Sequence, residues 1–157
     1  MLRILISAIV LFVTANAATA GNACALPANA NQLANEIAAG VNAQRRANGL
    51  APLAYNADLG RAATAHACDM SVNAFFGHRG SDGTNVRNRV RATGFRDCTL
   101  AENLAWGYPT SGQIIGGWMA SSGHRTNMLH PRVNEMGIGV TAGAKGPNWV
   151  LVLGRRC

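Results

Sequence analysis

Three ionisable residues lie far apart in the chain, each in or beside a turn-rich stretch. They are His78 in Phe75-Phe76-Gly77-His78-Arg79-Gly80, Glu102 in Leu100-Ala101-Glu102-Asn103-Leu104, and His124 in Ser121-Ser122-Gly123-His124-Arg125. Two imidazoles and a carboxylate can hold a divalent metal with positions left open to water, or work as a general acid/base set. Glu102 is the most demanding of the three. In an extended segment it shares a face with Leu100 and Leu104, where a lone carboxylate must neutralise or find a cation, a histidine or a metal. Spacing alone also allows three unrelated structural roles, since His and Glu build hydrogen-bond networks without chemistry.

The elements that must position these residues follow from periodicity. Leu33, Ile37 and Val41 recur every four residues, with Asn31 as a start signal and Asn48-Gly49 as a stop, so a first helix is expected there. A second begins after Asn56, carries Asp58 in its first turn, and lines up Leu59, Ala63, His66 and Met70; on that apolar stripe His66 reads as a core histidine rather than a ligand. A loop opens at Phe75. Thr84 can cap a short helix with Val86 and Val90 on one face and Arg87 and Arg91 as a solvated pair on another. Thr110-x-x-Gln113 is a capping box for a helix bearing Ile114, Ile115 and Trp118. Ser121 or Ser122 then caps a fresh turn holding His124, closed by Pro131. Met136, Ile138 and Val140 alternate with Gly137, Gly139 and Thr141 as a strand. Trp149 to Leu153 is a continuous apolar run of the kind found in a central strand, and the two are joined by a turn near Lys145-Gly146-Pro147. Early helices and late short strands imply an α+β fold, with helices covering a small antiparallel sheet.

Composition narrows the class. The 157 residues are 48% hydrophobic and only 13% charged, and 28 are alanine, which is a folding composition rather than a disordered one. Arg3, the apolar run Ile4 to Val13 and Ala18-Thr19-Ala20 read as a secretory leader over residues 1–20, too short to span about 30 Å of hydrocarbon, so no transmembrane anchor is expected after cleavage. Residues 21–32 form an N-terminal segment carrying Cys24, and 33–157 the domain. Export favours disulfides among Cys24, Cys68, Cys98 and Cys157, which contain no C-x-x-C pair. Three connectivities are open; the expectation is Cys24 with Cys157, tying down both ends, and Cys68 with Cys98. The net charge of +7 draws anions but names no reaction, and without a binding motif it gives no support to nucleic acid as a partner.

From Leu33 to Leu153 the chain resembles the bacterial branch of the CAP superfamily, the SCP-like extracellular proteins. The resemblance runs through Asn42-x-x-Arg45-x-x-x-Gly49-Leu50-x-Pro52-Leu53, His66-x-x-Asp69-Met70 and Phe75-Phe76-x-His78. It continues through Ala101-Glu102-Asn103-Leu104-Ala105, Trp118-Met119-x-Ser121-x-Gly123-His124-Arg125-x-Asn127-Met128-Leu129 and Glu135-Met136-Gly137-Ile138-Gly139-Val140. It implies a three-layer α-β-α sandwich whose central cleft is lined by two His and two Glu. His78, Glu102 and His124 match three of those positions. The fourth departs, because Ala120 and Ser121 stand where a glutamate follows the helix tryptophan in animal and plant members.

Two functions follow as expectations. One is a secreted, monomeric module that binds a lipid, sterol or cell-envelope component, with Zn²⁺ held by His78 and His124 and Glu102 nearby. The other is a metal-assisted hydrolase in which His78, Glu102 and His124 activate a water. A serine nucleophile is disfavoured, since no G-x-S-x-G elbow exists and Ser121 and Ser122 have work as caps. Arg125 and Asn127 are expected to brace the cleft loop and His130 to lie at the surface. Trp106, Tyr108 and Trp118 are candidates for a ligand wall or for the core.

Overall fold

A computed structural model describes residues 24–143 and 146–157; the expected leader and Lys145 lie outside them. The described elements run α1 (Ala30–Ala47), β1 (Ala54–Tyr55), α2 (Ala57–Val72), α3 (Val86–Ala92), β2 (Asp97–Trp106), α4 (Ser111–Ala120), α5 (Ser122–Met128), β3 (Glu135–Thr141) and β4 (Asn148–Arg156).

The sheet has order β1-β3-β4-β2 and is covered on both faces. Alternation along β4 divides the core: Trp149, Leu151 and Leu153 pack with Ile37, Val41, Ile114 and Trp118 of α1 and α4, while Val150 and Val152 pack with Leu59, Ala63 and Met70 of α2. Burial on both faces explains why β4 reads as one apolar run. It is the central strand, antiparallel to both β2 and β3. The α+β, three-layer expectation holds, with one addition: β1 pairs in parallel with β3. Two residues leave no periodic pattern to read.

Local signals place the helices to within a residue or two. Leu50 and Gly49 donate back to the carbonyls of Arg45 and Arg46, at 2.9 and 3.1 Å, and Gly49 has φ +73°. This is the left-handed stop that Asn48-Gly49 announced. Three caps differ from expectation. α1 starts one residue before Asn31, and Asn29 at its N-cap position makes no side-chain cap hydrogen bond. Asn85 rather than Thr84 caps α3, because Thr84 turns its hydroxyl to Asp82. Ser121 precedes α5 without a side-chain cap. In tandem Asn, Thr and Ser, neighbours compete for one capping role.

The expected cysteine pairing is corrected: Cys24 bonds Cys68 and Cys98 bonds Cys157. Strand register is the reason. Asp97 lies opposite Arg156 and Thr99 opposite Arg155, which sets Cys98 beside the last residue of the chain. Non-reducing peptide mapping should return these two linked pairs and no Cys68–Cys98 peptide.

Arg87 and Arg91 are solvent-exposed as expected, at 54% and 61%, but they are not free. They place their Nε atoms 2.8 and 2.9 Å from the two oxygens of Asp97, whose side chain is fully buried.

Candidate functional site

His78, Glu102 and His124 come from a loop, a strand and a short helix, and each is held by the backbone chemistry around it. The loop between α2 and α3 is pinned from below: His66, wholly buried on α2, bonds the carbonyl of Gly77 through Nε2 at 2.9 Å, one residue before His78. A carbonyl only accepts, so Nε2 carries the proton and Nδ1 is left bare, with no partner among the described residues. His66 is thus the core histidine the sequence indicated, and it positions the loop.

Glu102 sits in the middle of β2, its side chain 3% exposed, and has both of the partners it needed. Its Oε1 lies 2.8 Å from Nδ1 of His78 and its Oε2 accepts from Arg89 at 2.6 Å. Arg89 also donates to the carbonyls of His78 and Thr84, both at 3.1 Å, so one guanidinium ties α3, the loop and the sheet together. Sequence reasoning passed over Arg89. The signal was present: Val86, Arg89 and Val90 form an i, i+3, i+4 stripe, and an arginine inside such a stripe is turned toward the core.

His124 is the third residue of α5. Its carbonyl accepts from Asn103 Nδ2 at 2.9 Å, and Asn127 donates to both Asn103 Oδ1 and the Glu102 carbonyl. Asn127 therefore braces, as expected, and the fully buried Asn103 is the second residue sequence reasoning undervalued. Ser121 and Ser122 make no side-chain hydrogen bond to His124. Trp118 is core, its Nε1 donating to Leu104, whereas Trp106 and Tyr108 are exposed. His130 is half-buried, and its carbonyl accepts from Arg45.

The electrostatics separate His78 from His124. The hydrogen bond to the Glu102 carboxylate raises the pKa of His78; burial, helped by the charge of His78, lowers that of His124. Burial, with the charge of Arg89, also lowers His66. A depressed histidine stabilises the fold above its unfolded value near 6.5, and that contribution is lost as pH falls toward the folded value. His78 works with the opposite sign, its contribution being lost as pH rises past its raised value. NMR titration should place His78 above and His124 below 6.5. Denaturation midpoints should fall from pH 7.5 to 5, and fall less steeply in His66→Phe.

Around His78, Glu102 and Asn127 lies a cleft of about 500 Å³. Beyond it on the same loop, Phe75 and Phe76 join Met70 and Trp106 around a second cavity of about 270 Å³. For a zinc ion the available donors are the Nε2 of His78 and the ring of His124. Both Glu102 oxygens are engaged, and the described residues hold no group of three or more His, Cys, Asp or Glu able to bind a metal. Two nitrogens fall short of a closed structural zinc site, which takes four protein ligands.

A profile described as the cysteine-rich secretory protein family, CAP, matches residues 38–153. The chain belongs to the CAP family. The uncharacterised protein YkwD of Bacillus subtilis is 29% identical over 113 residues, 72% of this chain and 44% of YkwD. Among solved structures, an SCP-domain extracellular protein of Bacillus anthracis superimposes with TM-score 0.75 at 23% identity, covering 81% of this chain and 41% of that one. An outer surface protein of Borrelia burgdorferi gives 0.70 at 18%, covering 78% and 92%. Those structural likenesses show the fold. This chain spans less than half the length of YkwD. The two disulfides are consistent with secretion, and among the described residues no helix is long and apolar enough to cross a membrane.

Proposed function

We propose that this CAP domain is an exported binding module for a lipid-like component of the cell envelope, with a divalent ion, Zn²⁺, held between His78 and His124. The observation that carries the reading is the cavity framed by Phe76 and Trp106. These rings are 51% and 48% exposed and stand over an apolar hollow lined by Met70 and Phe75, a cost in water that an aliphatic or sterol-like ligand removes. The polar cleft next to it suits a head group. When bound, zinc would supply Lewis acidity to an oxygen of that head group. The chain's own contribution is to aim His78 Nε2 outward, by holding Nδ1 on Glu102 and the preceding carbonyl on His66.

Mass spectrometry after incubation with an envelope lipid extract is expected to find a retained lipid on the wild type and none on Phe76→Ser/Trp106→Ser. Calorimetric titration with Zn²⁺ is expected to give heat that the His78→Ala/His124→Ala double variant lacks. Identical traces for the two proteins reject the metal site.

A second reading, metal-assisted hydrolysis, is favoured by one observation: environments that push His78 and His124 apart in pKa provide an acid and a base near neutrality. Zinc-dependent turnover of an ester or peptide library without any retained lipid would select it.

A further inference from the structure

At the opposite end of β2 from the apolar cavity, and beside Val86 of the polar cleft, the surface where β2 begins and β4 ends is built from two arginine–aspartate–arginine clamps. In one, Asp97 gives an oxygen each to Arg87 and Arg91. In the other, Asp58 gives one oxygen to Arg61 and the other to Arg156, the latter at 2.7 Å. The clamps adjoin: Arg156 is the register partner of Asp97, its guanidinium lies 4.4 Å over the Phe95 ring, and Arg61 reaches the carbonyl of Thr93 at the end of α3. Exposed Arg96 directly precedes Asp97 in the chain.

The layering decides what this surface meets. The acidic side chains sit beneath, Asp97 at 0%, Asp58 at 24% and Glu135 at 20% exposure, while the four clamped arginines are 46–61% exposed. Arg87 and Arg91 use only Nε on Asp97, which leaves both Nη groups of each without a partner among the described residues. Arg91 is held by a hydrogen bond from its Nε and Arg87 by its charge alone; a guanidinium fixed at one edge has less rotamer freedom to lose when a ligand arrives, and its free edge is a fork matched to phosphate oxygens. Among the described residues no large aliphatic side chain is exposed here; the one large exposed ring is Tyr55.

We propose that this end of the sheet binds a hydrophilic polyanion carrying repeated phosphate groups. Two clamps side by side suit successive phosphates along a polymer, and the absence of an aliphatic anchor argues against membrane insertion. Trp106 closes the other end of β2, about 30 Å away at 3.3 Å per residue, so a polymer here and a ligand in the apolar cavity do not compete.

The test is titration of the disulfide-bonded protein with long-chain inorganic polyphosphate across a salt series. Each neutralised phosphate on a single strand contributes about 0.7 to the slope of log affinity against log salt. Arg61→Gln/Arg156→Gln should therefore flatten the slope by about 1.4 and weaken binding about 10-fold or more at low salt. Arg87→Gln/Asp97→Asn/Arg91→Gln, which leaves no buried carboxylate unpaired, should do the same, with thermal unfolding confirming that both variants fold. Arg46→Gln/Arg132→Gln removes two exposed charges from the opposite layer and should bind nearly as wild type. An equal loss in that control would overturn the proposal in favour of undirected charge. Tighter binding to phosphatidylglycerol vesicles than to polyphosphate would overturn it in favour of a membrane.

Discussion

Glu102→Gln is expected to unfold about 10 °C below the wild type and to bring the pKa of His78 down. Among the described residues the carboxylate of Glu102 is the only one paired with Arg89, whose side chain is 9% exposed, and an amide at that position leaves the buried guanidinium without a counter-charge. Breaking a buried pair from one side costs about 3–5 kcal/mol. The carbonyls of His78 and Thr84 still accept from Arg89, so the lower end, about 3 kcal/mol, applies here. A domain of this size loses about 3–5 °C per kcal/mol. The shift at His78 has a separate origin, since its upward displacement comes first from the hydrogen bond to Glu102. A cycle with Arg89→Met distinguishes the two. If Glu102 acts on stability mainly through Arg89, adding Arg89→Met to Glu102→Gln restores part of the lost stability and leaves His78 low. Strict additivity of the two single losses would mean that the pair is not coupled.

The same residue shows how far the sequence could be read. Its apolar neighbours and the period of two established that Glu102 would be buried and would need a partner. A histidine and a cation were both among the candidates, and it has one of each. Which cation it takes depends on how α3 lies against β2, and linear spacing does not encode that. Arg89 was therefore missed, while Arg87 and Arg91, one turn apart and easy to notice, were assigned to solvent without their partner Asp97. The cysteines failed for a related reason: Cys98 meets Cys157 because β2 and β4 are antiparallel neighbours in one register, a fact about sheet order. Elements that declare themselves within one or two turns were legible. These include the stripes of α1 and α2, the Asn48-Gly49 stop and the apolar run of β4. His66 was legible as buried, but its bond to Gly77, and through it the aim of His78, belongs to a loop fold that no pattern announces.

The glycines of β3 carry the remaining large effect. Gly137 and Gly139 face α2 on alternate positions of the strand, opposite Met136, Ile138 and Val140 in the other core layer. In sequence they looked like ordinary alternation. In the structure a Cβ at Gly139 would fall within the backbone of Ala63 and Thr64, and one at Gly137 within that of Leu59 and Gly60. Backbone cannot step aside as a side-chain tip can, so the whole of α2 would have to lift from the sheet, taking His66 and the loop of His78 with it. Gly139→Ala is expected to cost about 3 kcal/mol or more, the upper end for overpacking, read as a denaturant midpoint lowered at unchanged slope. Gly116→Ala supplies the contrast. It lies inside α4 with nothing within 4 Å of the added atom, and should gain roughly 0.5–1 kcal/mol from helix propensity and a less flexible unfolded chain. Opposite signs for the same chemical change would establish that the close approach of α2 to β3, rather than glycine's flexibility, makes Gly139 irreplaceable. Equal and small effects at both sites would mean that α2 does not rest directly on the strand, and the support of His78 through His66 would have to be sought elsewhere.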